Sequence, residues 1–547
     1  MKYSTIIARV SLLAGSSAAE YVWPDKNDQI EDVYMLQGGF NRMGFIDGIL
    51  SCGFGQSEPG RQNTAEWIRT AYHDMATADV EAGTGGLDAS IMFETERGEN
   101  KGSAFNNTFG HFLNFYTSRS SAADLVALGV VGSMAVCNGY QIPFRAGRID
   151  ATEAGPMGVP EPQEDLATHT AKFAKQGFSK TEMIELVACG HSLGGVHGAN
   201  FPEITHDNST GQVSHFEYGY SNEQFDNVVV HEYLASNTSN LLVAGSNDTL
   251  NSDKRIFGAD NNVTMEALAD STHFQERCQD VMGRMIDTVP RDVVLSEPIK
   301  PIDIKPYINL LSLNQNGTID FSGYIRVHYG GDSGRPNASD ISVFLSYKDR
   351  AGNVVNDTIS AQRPRWQNGI GTGFNQVNFV FFEWNTQLDP SAGISSFDVH
   401  VTTKSTGKTE VHNNVGNGYP VQDTLLYQIK QSCISISPKE GGGSEGHLTV
   451  VAAVRSEAAS GAQLDMHFVK KVARPGVMFP RFEVQVEPFQ AMEKTLSGYS
   501  LFEVKDMVID EKSLSTTLDL VLSGGNKDAR VEFQKTGSLT SQNCELL

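Results

Sequence analysis

The sequence has too few basic residues for a general nucleic-acid-binding or membrane-surface protein. Its 547 residues include 42 Lys and Arg against 65 Asp and Glu, which gives a formal net charge of −23. Nucleic acids and anionic lipids attract cationic surfaces, so this composition argues against both as partners. Beyond the N-terminus, no apolar run approaches the roughly 18–20 residues of a membrane-spanning helix. We therefore expect no transmembrane segment.

Cysteine is also scarce, with six residues in the chain. An even number is consistent with three disulfides in an oxidising compartment, although counting alone does not fix the pairing. The N-terminus has Lys2, then a modest apolar stretch and small residues up to Ala19, which predicts a secretory signal peptide over 1–19. Eight Asn-x-Ser/Thr acceptors also suit a secreted, extracellular glycoprotein: Asn106, Asn208, Asn237, Asn247, Asn262, Asn316, Asn337 and Asn356.

Residues 20–290 are predicted to form one helical domain. Asn63 to Glu66 and Ser179 to Glu182 each match a capping box, the pattern that opens a helix. Residues 289–306 contain four prolines, which predicts an extended linker over 291–306 crossed by few contacts. The helical domain is therefore expected to survive removal of the chain after about Val294.

The pattern changes after this segment to short β-rich runs separated by turn signals. We predict a β-sandwich-like domain over 307–439, a flexible Gly-rich break over 440–446 and a second β-rich domain over 447–547. The predicted fold class is thus multidomain, a mainly α region followed by an all-β, sandwich-like C-terminal region.

The first candidate for chemistry is the pair Arg69 and His73. Four residues apart, they project from one face of a helix. A neutral imidazole can move a proton between substrate atoms, while a guanidinium stabilises the charge that develops. Taken alone, the pair also fits a solvated or structural contact.

The second candidate is the Gly-rich loop from Gly85 to Ser90. Together with Asp74 it offers two carboxylates, a hydroxyl and backbone carbonyls, the hard oxygen ligands that calcium prefers. The alternative is an Asp-rich turn that satisfies its own backbone.

The third candidate is Cys189-Gly190-His191-Ser192-Leu193-Gly194-Gly195. Its Gly-His-Ser-Leu-Gly core matches the nucleophile elbow of α/β hydrolases, with Ser192 as nucleophile, but that motif needs a preceding buried strand. The residues before it instead have helical spacing. His191 then ends an amphipathic helix, where it is either a core residue or an axial ligand of haem iron.

Together these motifs resemble the plant, fungal and bacterial haem peroxidase superfamily. The order is the family's: distal Arg-x-x-aromatic-His-Asp, Gly-x-Asp-x-Ser, then a helix ending in His-Ser/Thr-x-Gly. Ser121 to Leu125 and Pro143 to Asp150 resemble two further family segments. The resemblance covers roughly residues 40–290 and implies a fold, a cofactor and an activity.

The implied cofactor is haem b, ligated through iron by His191, whose imidazole is polarised by Asp253. The resemblance makes His73 the distal acid/base and Arg69 the charge stabiliser, with Asn100 orienting His73. His197 matches a haem propionate contact, and Tyr72 occupies the distal aromatic position. Asp124 and Arg148 match a buried structural pair.

The resemblance also implies metal sites and disulfides. A first calcium site matches Asp74, Gly86, Asp88 and Ser90. A second, less complete calcium site matches Ser192, Ser221 and Asp226. The bridges Cys52–Cys137 and Cys189–Cys278 resemble family positions, which leaves Cys433–Cys544 as the third.

Some family features are absent. Of three manganese-binding acids in some fungal relatives only Glu66 is present, since Gln62 and His197 occupy the other positions. Leu186 replaces the surface Trp of lignin-oxidising relatives. Tyr72 stands where relatives mostly have Phe or Trp, so it either packs or takes up an oxidising equivalent.

The implied activity is reduction of hydrogen peroxide with one-electron oxidation of a small reducing substrate, for which a phenol is one candidate. The C-terminal region is a candidate for polysaccharide or cell-wall contact. Two alternatives stay open: a serine hydrolase using Ser192, and an extracellular binding or adhesion protein on a degenerate peroxidase scaffold.

Overall fold

A computed structural model describes residues 21–547 except 56–59, 210, 218–223, 332, 375–376, 440, 542 and 546. The predicted signal peptide and Ser221 lie outside the described residues. Within them, no helix is both long and apolar enough to span a bilayer. The predicted fold class is confirmed: a helical N-terminal region precedes a C-terminal region of antiparallel sheets.

The N-terminal region contains twelve described α-helices, and a thirteenth lies among the later strands. Ser179 forms the predicted capping box with Glu182. The box predicted at Asn63 is wrong, because Gln62 is the N-cap and Asn63 instead donates to the carbonyl of Gly48. The helices are α1 Asp28–Met35, α2 Asn63–Met75, α3 Ala104–Phe112, α4 Ala122–Val136, α5 Leu166–Lys175, α6 Lys180–Gly190, α7 Pro202–Thr205, α8 Val228–Leu234, α9 Leu241–Ala244, α10 Ser252–Phe257, α11 Val263–Leu268, α12 Ser271–Asp287 and α13 Ser456–Ala459.

Most of the described strands follow the helical region. They are β1 Gly38–Gly39, β2 Gly195–His197, β3 Val213–His215, β4 Ile304–Leu313, β5 Ile319–Tyr329, β6 Ile341–Lys348, β7 Ile359–Ala361, β8 Ile370–Thr372, β9 Asn378–Leu388, β10 Ser396–Thr403, β11 Lys408–His412, β12 Tyr419–Pro420, β13 Leu425–Tyr427, β14 Cys433–Pro438, β15 Ser444–Arg455, β16 Gln463–Arg474, β17 Val477–Pro488, β18 Gln490–Leu496, β19 Tyr499–Asp510, β20 Thr517–Ser523 and β21 Ala529–Lys535.

The strands after the helices, together with the short N-terminal strand β1, build two sandwiches. In the first, a sheet of order β1-β8-β9-β5-β4 packs on β11-β10-β6-β7, where β12 also pairs with β10. In the second, β13-β15-β19-β18, with β14 paired to β15, packs on β17-β16-β20-β21. Alternating apolar residues of the facing strands, such as Phe321 with Val399 and Val450 with Leu520, fill the two cores.

The predicted boundaries within the C-terminal region need correction. The Gly-rich stretch at 440–446 is not a break between domains, because β14 and β15 pair on either side of it as a hairpin. Since β13 and β14 both pair with β15, the second sandwich begins by Leu425 rather than at 447.

The predicted linker has no helix or strand over 291–303, but it is firmly attached to the helical region. Ser296 and Ile299 donate backbone hydrogen bonds to Ala146 and Phe144 of the helical region. Ile304 to Pro306 already belong to β4 and pair with β5. The expectation of few contacts across this segment is therefore wrong.

Buried ion pairs and aromatic rings join the sandwiches to the helices. Glu31 and Asp32 of α1 bind Lys305 of β4, with Nζ–O distances of 2.8 and 2.9 Å, and they also bind Arg326 of β5. Phe379 and Phe381 of β9 and Phe479 of β17 also belong to the core of the helical region.

The three disulfides join the predicted pairs, Cys52–Cys137, Cys189–Cys278 and Cys433–Cys544. The first two bridge elements of the helical region. The third holds β14 to the end of the chain, within the second sandwich.

Candidate active site

A cavity of about 600 Å³ lies between α2 and α6 in the helical region. Arg69 and His73 of α2 line one side, and His191, at the end of α6, lines the other. The volume is within the usual range for a cofactor pocket. The helical spacing noted in the sequence thus brings the first and third candidate motifs to one space.

Asn100 fixes the tautomer of His73. The Nδ1 atom of His73 lies 2.8 Å from Oδ1 of Asn100, whose own amide nitrogen donates to the carbonyl of Glu94 at 3.0 Å. An amide oxygen only accepts, so Nδ1 carries the hydrogen and Nε2 keeps its lone pair. His73 is therefore oriented as a proton acceptor at Nε2.

The surroundings keep His73 neutral and Arg69 charged. Burial, together with the neighbouring Arg69 charge, lowers the pKa of His73 to about 3, although the bond to Asn100 opposes the shift. Burial lowers the pKa of Arg69 to about 10, against the attraction of Glu66. At neutral pH the pair is a base beside a cation, which suits peroxide chemistry.

On the opposite side, a carboxylate holds His191. The Nδ1 atom of His191 lies 2.7 Å from Oδ2 of Asp253, and Asn240 donates to the same oxygen at 2.7 Å. Asp253 is 1 % exposed at its side chain, against 31 % for His191. Because Asp253 engages Nδ1, Nε2 is the nitrogen left for a metal.

Two residues of this side escaped sequence reasoning. Asn240 supports Asp253 from the N-cap of the short helix α9, and the ring of Phe216 stacks on His191 with centroids 4.3 Å apart. Both come from short or irregular segments far from His191 in sequence, and no motif marks them.

The structure does not support the hydrolase hypothesis for Ser192. A helix, α6, precedes the motif where an elbow would need a strand. The Ser192 side chain is buried, and its hydroxyl donates to the carbonyl of Cys189 at 2.8 Å. The neighbouring His191 is instead engaged with Asp253. Ser192 therefore lacks both the exposure and the base that a nucleophile needs.

The first predicted calcium loop brings its carboxylates together. Asp74 accepts the backbone amides of Ala89 and Ile91, and Asp88 accepts that of Ser90. Burial, followed by the proximity of Asp88, raises the pKa of Asp74, so the buried loop favours a neutralising charge. Even so, the described residues contain no cluster of three or more His, Cys, Asp or Glu placed to hold a metal ion.

The second predicted calcium site is less complete. Ser192 turns its hydroxyl to Cys189, and Asp226 accepts the backbone amide of Val228. The third residue, Ser221, lies outside the described residues. These contacts are those of a capped turn, and calcium binding at this site stays a prediction.

The remaining candidates occupy distinct places. Tyr72 and His197 line the cavity, as does the side chain of Leu186. The Tyr72 ring stacks on Phe173 of α5, with centroids 5.9 Å apart, and burial raises the pKa of its phenol.

Glu66 is already neutralised by Arg61, whose guanidinium meets both carboxylate oxygens at 2.9 and 2.8 Å. Gln62 donates to the carbonyl of Cys52 and accepts the amide of Gly194. These pairings disfavour manganese here, which agrees with the absence of the other two acids. Asp124 and Arg148 form the expected buried ion pair, at 3.0 Å.

Comparisons with known proteins agree with this geometry. The peroxidase family profile matches residues 55–271. A "WSC domain-containing protein" of Arthroderma benhamiae is 40% identical over 396 residues, which are 72% of this chain and 54% of that protein. The peroxisomal L-ascorbate peroxidase 5 of Arabidopsis thaliana is 31% identical over 192 residues, 34% of this chain and 64% of the relative. A mitochondrial cytochrome c peroxidase of Emericella nidulans is 30% identical over 136 residues, covering 24% and 37% of the two chains.

The chain therefore spans less than two thirds of each of these relatives. Its helical region contains a peroxidase domain, matched over residues 55–271, of the haem peroxidase superfamily, and an additional region of antiparallel strands follows.

The residues present fit a haem group. Nε2 of His191 would hold the haem iron, and the cavity is lined by that imidazole and by Arg69 and His73. The anchored carboxylate of Asp253 is the kind of partner that makes a ligating imidazole more basic.

Proposed function

We propose that the protein is a secreted haem peroxidase, which reduces hydrogen peroxide and oxidises a small donor by one electron at a time. The observation that carries the proposal is one cavity with Arg69 and His73 on one side and the His191–Asp253 pair on the other. Bound haem would supply the iron that takes up peroxide and cleaves its O–O bond.

His73 would move the proton in this reaction. Its Nε2 would accept a proton from one oxygen of hydrogen peroxide and deliver it to the other oxygen, which would leave as water. In the neutral ring, the hydrogen bond from Nδ1 to Asn100 leaves Nε2 unprotonated and able to accept that proton.

Arg69 would stabilise the negative charge that develops on the departing oxygen. Its Nη2 is held by the carbonyl of Lys101 at 3.0 Å, and its guanidinium carbon lies 4.7 Å from the centre of the Phe105 ring. These contacts orient the cation without neutralising it.

On the other side, His191 would hold the iron through Nε2 and Asp253 would keep the imidazole electron-rich. Asp74, Gly86, Asp88 and Ser90 would bind one calcium ion, which would offset the charge of the two carboxylates. Calcium at Ser192, Ser221 and Asp226 is a weaker prediction.

The test is a visible absorption spectrum of the full chain expressed with haem, followed by a peroxide-dependent assay with a phenolic donor. A Soret band and turnover are expected. A protein that takes up no haem under these conditions would contradict the proposal.

The complete distal pair argues against a degenerate, purely adhesive scaffold. Contact of the C-terminal region with a polysaccharide, or with the cell wall, is a separate prediction. It is checked by a pull-down with insoluble polysaccharide, comparing the full chain with a non-binding secreted protein.

A further inference from the structure

Two segments flank the cavity where it meets solvent. One runs from Glu99 to Ser103, just before α3, and the other from Asn200 to Glu203, at the start of α7. Lys101 and Glu203 line the cavity and are also exposed, with side chains 51 % and 47 % accessible. They therefore belong to its rim.

The two segments contact each other across this rim. Nζ of Lys101 lies 3.6 Å from Oε1 of Glu203 and 5.7 Å from the centre of the Phe201 ring. Both contacts attract an ammonium group, the second through the electrons of the ring. Gly102 lies so near Asn200 that a Cβ there would be 2.9 Å from the amide nitrogen.

Lys101 also connects the rim with the reaction side of the cavity. Its backbone carbonyl accepts the hydrogen bond from Nη2 of Arg69 at 3.0 Å. One residue thus holds the opposite segment by its side chain and the distal guanidinium by its main chain. A change at the rim has a direct route to Arg69.

We propose that Lys101 and Glu203 form a latch at the mouth of the cavity, which admits hydrogen peroxide and restricts bulkier molecules. The inference rests on the proposed function and adds two specificity-determining residues to it. Neither side chain takes part in proton transfer. Their ion pair is partly exposed, so added salt weakens the latch.

The variants Lys101→Met and Glu203→Gln remove the ion pair while keeping most of each side chain. The matched control is Lys175→Met, since Lys175 forms a comparable pair with Asp79 at 3.3 Å and is 59 % exposed. Lys175 does not line the cavity. All four full-length proteins are loaded with haem and compared at low and high salt.

The first measurement is the rate of reaction with cumene hydroperoxide divided by that with hydrogen peroxide. Both latch variants should raise this ratio by about two- to fivefold, the range that a partly exposed pair supplies. Salt should raise the ratio of the wild type and of Lys175→Met, and leave the latch variants unchanged. Equal ratios in all four proteins would overturn the proposal, and so would an effect of one latch variant alone.

The second measurement is hydrogen–deuterium exchange over residues 98–103 and 200–205, which needs no activity. Faster exchange in both latch variants than in Lys175→Met is expected, and unchanged exchange would refute the latch. If the wild type fails to react with any peroxide, the proposed function fails, while the exchange result still decides whether the latch exists.

Discussion

The two sides of the cavity use the same side chain with different partners. His73 and His191 both line the cavity, and each engages a neighbour through Nδ1. For His73 the neighbour is the neutral amide of Asn100, and for His191 it is the carboxylate of Asp253. One imidazole is thereby kept as a neutral base, and the other is made a stronger electron donor.

This difference shows that the hydrogen-bond partner at Nδ1 determines whether the imidazole is suited to act as a base or as a metal ligand. An amide orients a ring without adding charge, so burial and Arg69 can hold the pKa of His73 low. A carboxylate orients the ring and adds negative charge, which favours bonding to a metal cation. Five substitutions would break or sharpen the contrast.

The largest effect is expected from His191→Ala, which removes the residue proposed to hold the haem iron. The variant should lose haem binding, measured as Soret absorbance per protein after reconstitution. His206→Ala, an exposed histidine bonded to Ser246, is the control and should bind as the wild type does. Full haem occupancy in His191→Ala would show that another residue holds the iron.

His73→Leu should retain haem and lose the proton acceptor. The rate of reaction with hydrogen peroxide should fall by about 10²–10⁴-fold, the usual contribution of acid–base catalysis. Stopped-flow absorbance measures this rate. A fall of less than tenfold would assign the proton to another group.

Asp253→Asn should weaken the opposite side by removing charge while keeping the shape. Haem affinity or activity should fall by about 10–100-fold, as is typical when a partner of a metal ligand changes. Haem transfer to an acceptor protein gives the affinity. Unaltered haem retention and activity together would mean that Asp253 only fills space.

Asn100→Asp makes the distal pair resemble the proximal one. In the wild type, protonation of His73 abolishes the base, so the peroxide rate should hold until the pH approaches about 3. A carboxylate partner favours the charged imidazole, so the acid limb should move up by about 1–3 pH units. The pH profile of the peroxide rate is the measurement, and an unshifted limb would contradict the assignment.

The smallest effect is expected from Ser192→Ala, which changes the residue next to His191. Loss of one buried hydroxyl bond to Cys189 should cost about 1 kcal/mol in the free energy of unfolding. The activity of the variant should stay within about twofold of the wild-type activity, a far smaller change than the loss expected when acid–base catalysis is removed. Denaturant titration measures the free energy of unfolding, and the turnover rate measures the activity. Labelling of Ser192 in the wild type by a fluorophosphonate would instead support the hydrolase hypothesis.

The helices of the site were predictable because their functional and apolar side chains recur at the spacing of one helical turn. Arg69 and His73 lie one turn apart on α2, and the apolar stripe before His191 marks α6. Asn240 and Phe216 were not predictable, because they reach the site from short or irregular segments whose path depends on tertiary packing.

The C-terminal region shows the same limit. Its strand-rich composition predicted sheets, whereas the pairing of β13 and β14 with β15 depends on long-range register. The prolines before β4 predicted an extended chain, but proline content carries no information on whether that chain is bound to a neighbour.

A buried ion cluster joins the helical region to the first sandwich, so the two should be kept together when the protein is engineered. The cluster consists of Glu31, Asp32, Lys305 and Arg326. Truncation of the chain after Val294 would remove Lys305 and Arg326 and leave the two carboxylates of α1 without their cationic partners. It would also expose to solvent the aromatic surface that Phe379 and Phe381 cover. The helical region is thus poorly suited to expression as an isolated domain. A redesigned version should keep β4, β5 and β9, or replace the four charges together with an apolar seam of similar volume.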